Sequence, residues 1–217
     1  MIDSHELPHP LLAARGLAVT RMAEPIFGPL DLQLSAGEVL LIEGGNGSGK
    51  TTLLRVLAGL LSASSGEIER HGVVSAALDA PIGFLSHATG LRADLSPLEQ
   101  LDFFACLYGV RSGISAHAAL LSVGLAGFEH MPVRRLSAGQ RKRCALAALL
   151  HTASTLWLLD EPYANLDRDG QILVDRLLEA HIARGGAAII TSHGLIEPQI
   201  SRVRRMRLEL LDECGHA

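Results

Sequence analysis

Gly44-Gly-Asn-Gly-Ser-Gly49-Lys50-Thr51 satisfies the pattern G-x-x-x-x-G-K-[ST]. Such a loop needs a strand before it and a helix after it, so it dictates local architecture. Val39-Leu-Leu-Ile42, bounded by Gly37 and Gly44-Gly45, has the short apolar run of a buried strand. From about Lys50, the residues Leu53, Leu54, Leu57, Leu60 and Leu61 recur at helical spacing, which predicts the helix. Glycines let backbone N–H groups of Gly44, Gly45, Asn46, Gly47, Ser48 and Gly49 curl around phosphate oxygens with no Cβ in the way. In this pattern Lys50 reaches the β- and γ-phosphates of a nucleotide, and the Thr51 hydroxyl ligates Mg²⁺.

Leu156-Trp-Leu-Leu159-Asp160-Glu161 supplies what such a loop needs next. An apolar strand ending in a carboxylate puts Asp160 beside the metal, and Glu161 one residue on is free to orient or deprotonate a water. Taken alone, an acidic pair after a strand is as readily a turn; downstream of a phosphate loop it is not. Thr191-Ser192-His193 follows the next apolar run, where a histidine can contact a γ-phosphate. A lone histidine is more often a satisfied core or surface group, which is how His71, His117, His130, His151 and His181 are read. His5 and His9 are four apart but flank prolines, which disfavours a helical metal pair.

A second anion site is suggested by Leu136-Ser137-Ala138-Gly139-Gln140, where Ser137 and two small residues stand at a helix start. An ordinary capped helix would read the same way. Upstream, Ser96-Pro97-Leu98-Glu99 matches a capping box with proline at the first helical position. From there to about Leu150 the pattern is helical, punctuated by Gly109, Gly113, Gly124 and Gly127. Strands are predicted at Leu11 to Thr20, Leu30 to Leu34, Gly66 to Glu69, Ile82 to Leu85, Thr155 to Leu159, Ala187 to Thr191 and Val203 to Leu210, with a helix from Arg168 to Ala183. Strands and helices alternating around a helical insert indicate an α/β fold.

The 217 residues are 48% hydrophobic, enough for one sizeable core, and the net charge of −4 leaves no electrostatic footprint for nucleic acid. Cys106, Cys144 and Cys214 are scattered, without a C-x-x-C, so neither zinc nor a disulfide framework is expected and a reduced, cytosolic setting fits. The first ten residues carry acid and proline where a signal peptide needs positive charge and an apolar run. No stretch is long and apolar enough to span a membrane; Cys144 to Leu159 is broken by His151, Thr152, Ser154 and Thr155.

In order along the chain stand GGNGSGKT, LSAGQ, LLDEP, Asn165-Leu166-Asp167, and Ser192-His193. Together they resemble the ATP-binding cassette family over nearly the whole length. LSAGQ resembles that family's signature LSGGQ, while no N-K-x-D motif for guanine appears. The resemblance implies a P-loop NTPase (RecA-like) core with a mainly parallel sheet, an N-terminal antiparallel β subdomain and a helical subdomain insert. The expected division is one domain over 1–217, its core formed by 1–87 and 153–217 and the helical subdomain by 88–152.

The family resemblance also assigns roles. ATP and Mg²⁺ are the implied cofactors, with Gly44 to Thr52 cradling ATP, Thr51 and Asp160 at the metal, and Glu161, His193 and Lys50 catalytic. A second copy of the chain, paired head to tail, is the implied partner. The signature Leu136, Ser137, Ala138, Gly139 and Gln140 of one copy then faces the ATP held by the other, and Asp167 belongs to the adjoining D-loop.

Two departures stand out. Cassettes carry an aromatic that stacks on adenine about 29 residues before the P-loop lysine. Here that position is Arg21, whose guanidinium can stack on a π face, and nearby Phe27 is better read as core. Where the family has a Gln touching metal and water, aligning on Glu99 reaches His87, which is read equally as a substitute or as an exposed loop residue.

Within the family, Gly124-Leu-Ala-Gly-Phe-Glu129, Pro132-Val133, LSAGQ and Ala153 to Pro162 resemble ATP-binding subunits of the haem exporters used in cytochrome c maturation. That likeness implies integral membrane permease subunits as further partners, a peripheral location on the cytoplasmic face of the membrane, and ATP hydrolysis coupled to transport. An exporter ATPase for another cargo is the alternative. A non-transport cassette of DNA repair or the ribosome is disfavoured by the absence of a second cassette, a coiled-coil insertion or basic extensions. A regulatory module without turnover is disfavoured by the presence of Glu161.

Overall fold

The computed structural model describes residues 10–70, 82–111, 113–194 and 198–209. The N-terminal half contains strands β1 (Leu12–Arg21), β2 (Glu24–Leu34) and β3 (Val39–Glu43), helix α1 (Lys50–Leu57), and strands β4 (Ser65–Arg70) and β5 (Ile82–Leu85). Helices α2 (Pro97–Tyr108), α3 (Ala116–Ser122) and α4 (Ala138–His151) follow, then β6 (Leu156–Leu159), α5 (Arg168–Ile182), β7 (Ala187–Ser192) and β8 (Val203–Arg207). His5, His9, His71 and Cys214, and the predicted strand end at Leu210, lie outside the described residues.

β3 has no polar residue before Glu43 because both of its faces are covered. It lies in a five-stranded, all-parallel sheet of order β5-β6-β7-β3-β8. Side chains alternate strictly between two cores, as a period of two requires. Val39, Leu41, Trp157, Leu159, Ala188 and Ile190 pack against α2 to α5, while Leu40, Ile42, Leu158 and Ile189 pack against α1 and a second sheet. That second sheet is antiparallel, of order β2-β1-β4. Truncating a fully buried leucine such as Leu40 would cost about 2–5 kcal/mol.

Three boundaries differ from expectation. β8 stops at Arg207, short of the predicted Leu210, with Leu208 and Glu209 already outside the strand. β2 begins at Glu24, six residues before the predicted Leu30, and runs through Pro25 and Pro29. Proline breaks central strands for want of an N–H, but among the described residues β2 is an edge strand, paired with β1 alone. α1 ends at Leu57 and does not carry Leu60 and Leu61, which are exposed. Gly59 adopts φ +75°, with Leu60 N donating to Arg55 O at 2.8 Å and Gly59 N to Val56 O at 3.0 Å. This is a Schellman stop, and it outweighs the leucine spacing.

Four parallel strands deliver their following loops to one edge of the sheet. β3 leads into Gly44, β5 into Ser86 and His87, β6 into Asp160 and Glu161, and β7 into His193. In an open parallel sheet, the carboxyl ends of the strands are where ligands bind.

Candidate active site

The loop from Gly44 to Gly49 joins β3 to α1 in close contact with its surroundings. A Cβ on Gly44 would lie 2.4 Å from Leu208 O and 2.5 Å from Ser48 Oγ, so no larger residue fits. Gly49 takes φ +89° as the N-cap of α1 and supplies no side-chain cap, leaving the helix's first N–H groups turned to the loop. Lys50 is buried and its Nζ donates to Gly44 O and Gly45 O, both at 2.7 Å. Burial pulls the Lys50 pKa below its ordinary value, against the opposing pull of the Glu161 and Asp160 carboxylates.

Asp160 lies at the end of β6, 1% exposed, and accepts hydrogen bonds at both oxygens. Thr51 Oγ1 donates to Oδ2 and Thr191 Oγ1 to Oδ1, each at 2.8 Å. The Thr191 hydroxyl also accepts from Glu161 N at 2.9 Å, so a single side chain braces both acidic residues. Glu161 adopts φ +50°, and its backbone carbonyl accepts from Lys142 Nζ at 3.0 Å. Its carboxylate contacts His193 Nε2 through Oε1 and lies 3.8 Å from His87 Nδ1 through Oε2.

Most residues assigned from sequence therefore meet. Asn46, Gly47, Gly49, Lys50, Thr51, Thr52, His87, Asp160, Glu161 and His193 line one open cavity of about 510 Å³. Gly44, Gly45 and the buried Ser48 are not among its lining residues, and neither is Arg21, which is exposed at the β1–β2 turn. Phe27 is buried, packed in the core of the antiparallel sheet. Thr51 and Asp160 present two hard oxygen ligands at hydrogen-bond distance from each other, a donor set that suits Mg²⁺ with its remaining waters. Among the described residues no group of three or more His, Cys, Asp or Glu could hold a metal by itself.

Ser137, Gly139, Gln140 and Asp167 line a different cavity of about 500 Å³ with Gly124, Arg143, Asn165 and Leu166. Ser137 caps α4 in a reciprocal box: its Oγ accepts from Gln140 N at 3.1 Å while Gln140 Oε1 accepts from Ser137 N at 2.9 Å. A Cβ on Gly139 would meet nothing closer than Asn165 O at 3.7 Å, so its backbone is open to the cavity. Leu136 is buried beneath, and Ala138 is exposed beside the cavity's lining residues. Asp167 caps α5, its Oδ1 accepting from Gly170 N at 2.8 Å and lying 3.6 Å from Arg143 Nη2. One chain thus holds two separate candidate anion sites that do not share a cavity.

The ABC transporter family matches residues 27–164, which include the phosphate loop, LSAGQ and Asp160-Glu161. The chain belongs to this family. Membership makes it a nucleotide-binding ATPase of the ABC type. It is 53% identical over 211 residues to the cytochrome c biogenesis ATP-binding export protein CcmA of Xanthomonas campestris pv. campestris (strain 8004), covering 96% of this chain and 99% of that one. The protein of the same description from Methylococcus capsulatus is 45% identical over 191 residues, covering 86% and 92%.

Among solved structures, an ABC transporter (ATP-binding protein) from Pyrococcus furiosus superposes with a TM-score of 0.75 at 27% identity, covering 89% of this chain and 96% of that one. An ATP-binding cassette solved as a dimer bound to ADP and Pi superposes at 0.77 and 22% identity over 92% and 96%, a likeness of ABC fold. No helix among the described residues of this ABC protein is long and apolar enough to cross a membrane.

Two residues at the site escaped sequence reasoning. Thr191 has no sequence signal beyond ending a strand, since a buried hydroxyl bonding residues about thirty positions away leaves no local signature. Lys142 had a signal: Leu146 and Leu149, four and seven positions on, share its face of α4 and are buried, so a cation there needs a partner.

Proposed function

We propose that this ABC ATPase powers an exporter serving cytochrome c biogenesis, with haem as the cargo moved through integral membrane permease subunits. The observation that carries this reading is the 53% identity to an export protein of that process across nearly the full length of both chains. The chain would then work at the cytoplasmic face of the membrane, held there by its permease.

In the proposed cycle, backbone N–H groups from Gly44 to Gly49 and the start of α1 cradle the phosphates of ATP, with Thr52 beside them. Lys50 exchanges its two loop carbonyls for the β- and γ-phosphate oxygens. Thr51 and Asp160 would hold Mg²⁺, which when bound neutralises developing charge on the phosphates. Glu161 accepts the proton of a water attacking the γ-phosphorus, the bond to the β-phosphate oxygen breaks, and ADP and phosphate leave. His193 lies against the same carboxylate, where it orients the base and reports on the γ-phosphate. His87, exposed and 3.8 Å from the other carboxylate oxygen, is near enough to serve where the family has its loop glutamine, and is read equally as a loop residue at the cavity rim. The adenine contact at Arg21 rests on its count from Lys50.

Pairing is proposed because the second cavity has phosphate-binding features and lies apart from the chain's own phosphate loop. In a head-to-tail dimer, Ser137 and the Gly139 N–H of one copy, with Asp167 alongside, would close over the ATP of the other. The testing experiment is haem staining of c-type cytochromes in cells whose only copy carries Glu161→Gln. Loss of staining, restored by the unmutated gene, supports the cytochrome c role; unchanged staining points to an ABC exporter of another cargo.

A further inference from the structure

Lys142 is buried in α4 one turn beyond Ser137, on a face shared with Leu146 and Leu149. A buried ammonium is costly unless its donors find acceptors. Its hydrogen-bond acceptor is the backbone carbonyl of Glu161, at 3.0 Å. Burial lowers the Lys142 pKa from its ordinary value, and the Asp160 and Glu161 charges act the other way, so the cation lies within the field of both carboxylates.

Glu161 itself is held at φ +50°, a left-handed conformation that a residue with a Cβ adopts only at a cost. Such a conformation persists where the surroundings over-determine it. Here the residue is bonded at both ends: its N–H donates to Thr191 Oγ1 at 2.9 Å, and its C=O accepts from Ala164 N at 3.1 Å within its own loop and from Lys142 Nζ at 3.0 Å, the one of these two donors that comes from another element. With both ends fixed, the Cα–Cβ direction is fixed as well, and the carboxylate points into the cavity toward His193 and His87.

We propose that Lys142 is a positioning residue that fixes the backbone of Glu161, and so the aim of its carboxylate, from the helix whose N-terminus lines the second cavity. The inference rests on the assignment of Glu161 as the base. Ser137 and Lys142 are about 7.5 Å apart along one rigid helix, so a ligand engaging Ser137 and Gly139 pulls on the same rod that holds Glu161. Closure of a partner's nucleotide over the second cavity would thereby bear on the carboxylate in the first.

The test compares Lys142→Met, which keeps the apolar stem and removes the donor, with Lys142→Gln, which retains an N–H donor. Steady-state ATP hydrolysis, affinity for a fluorescent ATP analogue and melting temperature are measured on the full chain. Lys142→Met is expected to lower kcat about 10- to 100-fold, the scale on which a small misplacement of a reacting group acts. KM and analogue affinity should stay within about twofold, and Lys142→Gln should recover much of kcat. The inference is overturned if Lys142→Met keeps kcat within twofold, if affinity falls in parallel with kcat, or if Lys142→Gln is as impaired as Lys142→Met. Absence of hydrolysis by the unmodified chain would instead overturn the assignment of Glu161, and this inference with it.

Discussion

Thr51 Oγ1 donates to Asp160 Oδ2 at 2.8 Å, tying the first turn of α1 to the end of β6 across 109 positions of sequence. These are the two residues proposed to hold Mg²⁺, and the bond keeps their oxygens side by side. Replacing Thr51 by Ala should weaken binding of an ATP analogue about tenfold or more when Mg²⁺ is present, and under twofold in a chelator. Equal losses in both conditions would remove Thr51 from the metal site. Calorimetric titration in the two buffers distinguishes these outcomes.

Glu161→Gln keeps the shape and the backbone bonds of the residue but removes its basicity. Turnover should fall by about 10²-fold or more, the usual contribution of a positioned base. Nucleotide should still bind, and the closed pair should accumulate because its ATP is not consumed. Gel filtration with ATP and Mg²⁺ is expected to show this variant as a dimer. A monomer under those conditions would count against the head-to-tail cycle.

Thr191 is a buried crossing point, donating to Asp160 Oδ1 and accepting from Glu161 N. Thr191→Val is close in shape but leaves a buried carboxylate oxygen and a part-buried N–H without this partner. Urea unfolding should show a loss of roughly 1–3 kcal/mol. Thr191→Ser, which retains the hydroxyl, should lose much less. Equal stability of the two variants would mean that the bridge contributes nothing.

Features written in adjacent residues were legible before the structure. The glycines around Asn46, the capping box at Ser96, the helix start at Ser137, and the uninterrupted apolar residues of β3 each specify local geometry through local physics. Context decided the rest. Pro25 and Pro29 look like breakers until β2 is known to lie at an edge. Leu60 and Leu61 continue a helical pattern that Gly59 overrides. The roles of Thr191 and Lys142 depend on β6, β7 and α4 meeting, which no short window records. The two cavities differ in this respect: Gly44 to Thr51 and Ser137 to Gln140 can each be read locally as an anion site, while their separation in one chain is implied by the family resemblance and by neither stretch alone.

His181 carries the clearest pH dependence in the fold. It is 2% exposed, stacked on Trp157 with ring centroids 3.8 Å apart, and its Nε2 lies 3.0 Å from Thr155 O and 3.3 Å from Ala187 O. Burial, with Arg111 and to a lesser extent Arg184 nearby, lowers its pKa from the ordinary 6.5 to about 4, against the pull of the two carbonyls. Between those values the unfolded chain binds a proton that the folded chain refuses. Stability is therefore complete above about pH 6.5 and declines as pH falls toward 4. The full effect is on the order of 3 kcal/mol, of which roughly 2 kcal/mol appears by pH 5. Other groups titrate over the same range, so the informative quantity is a difference. Urea midpoints at about pH 7.5 and pH 5 should fall less steeply for His181→Gln, which keeps a donor for Thr155 O but cannot take the proton. Parallel pH dependence in the two proteins would show that His181 is protonated in the folded state as readily as in the unfolded one.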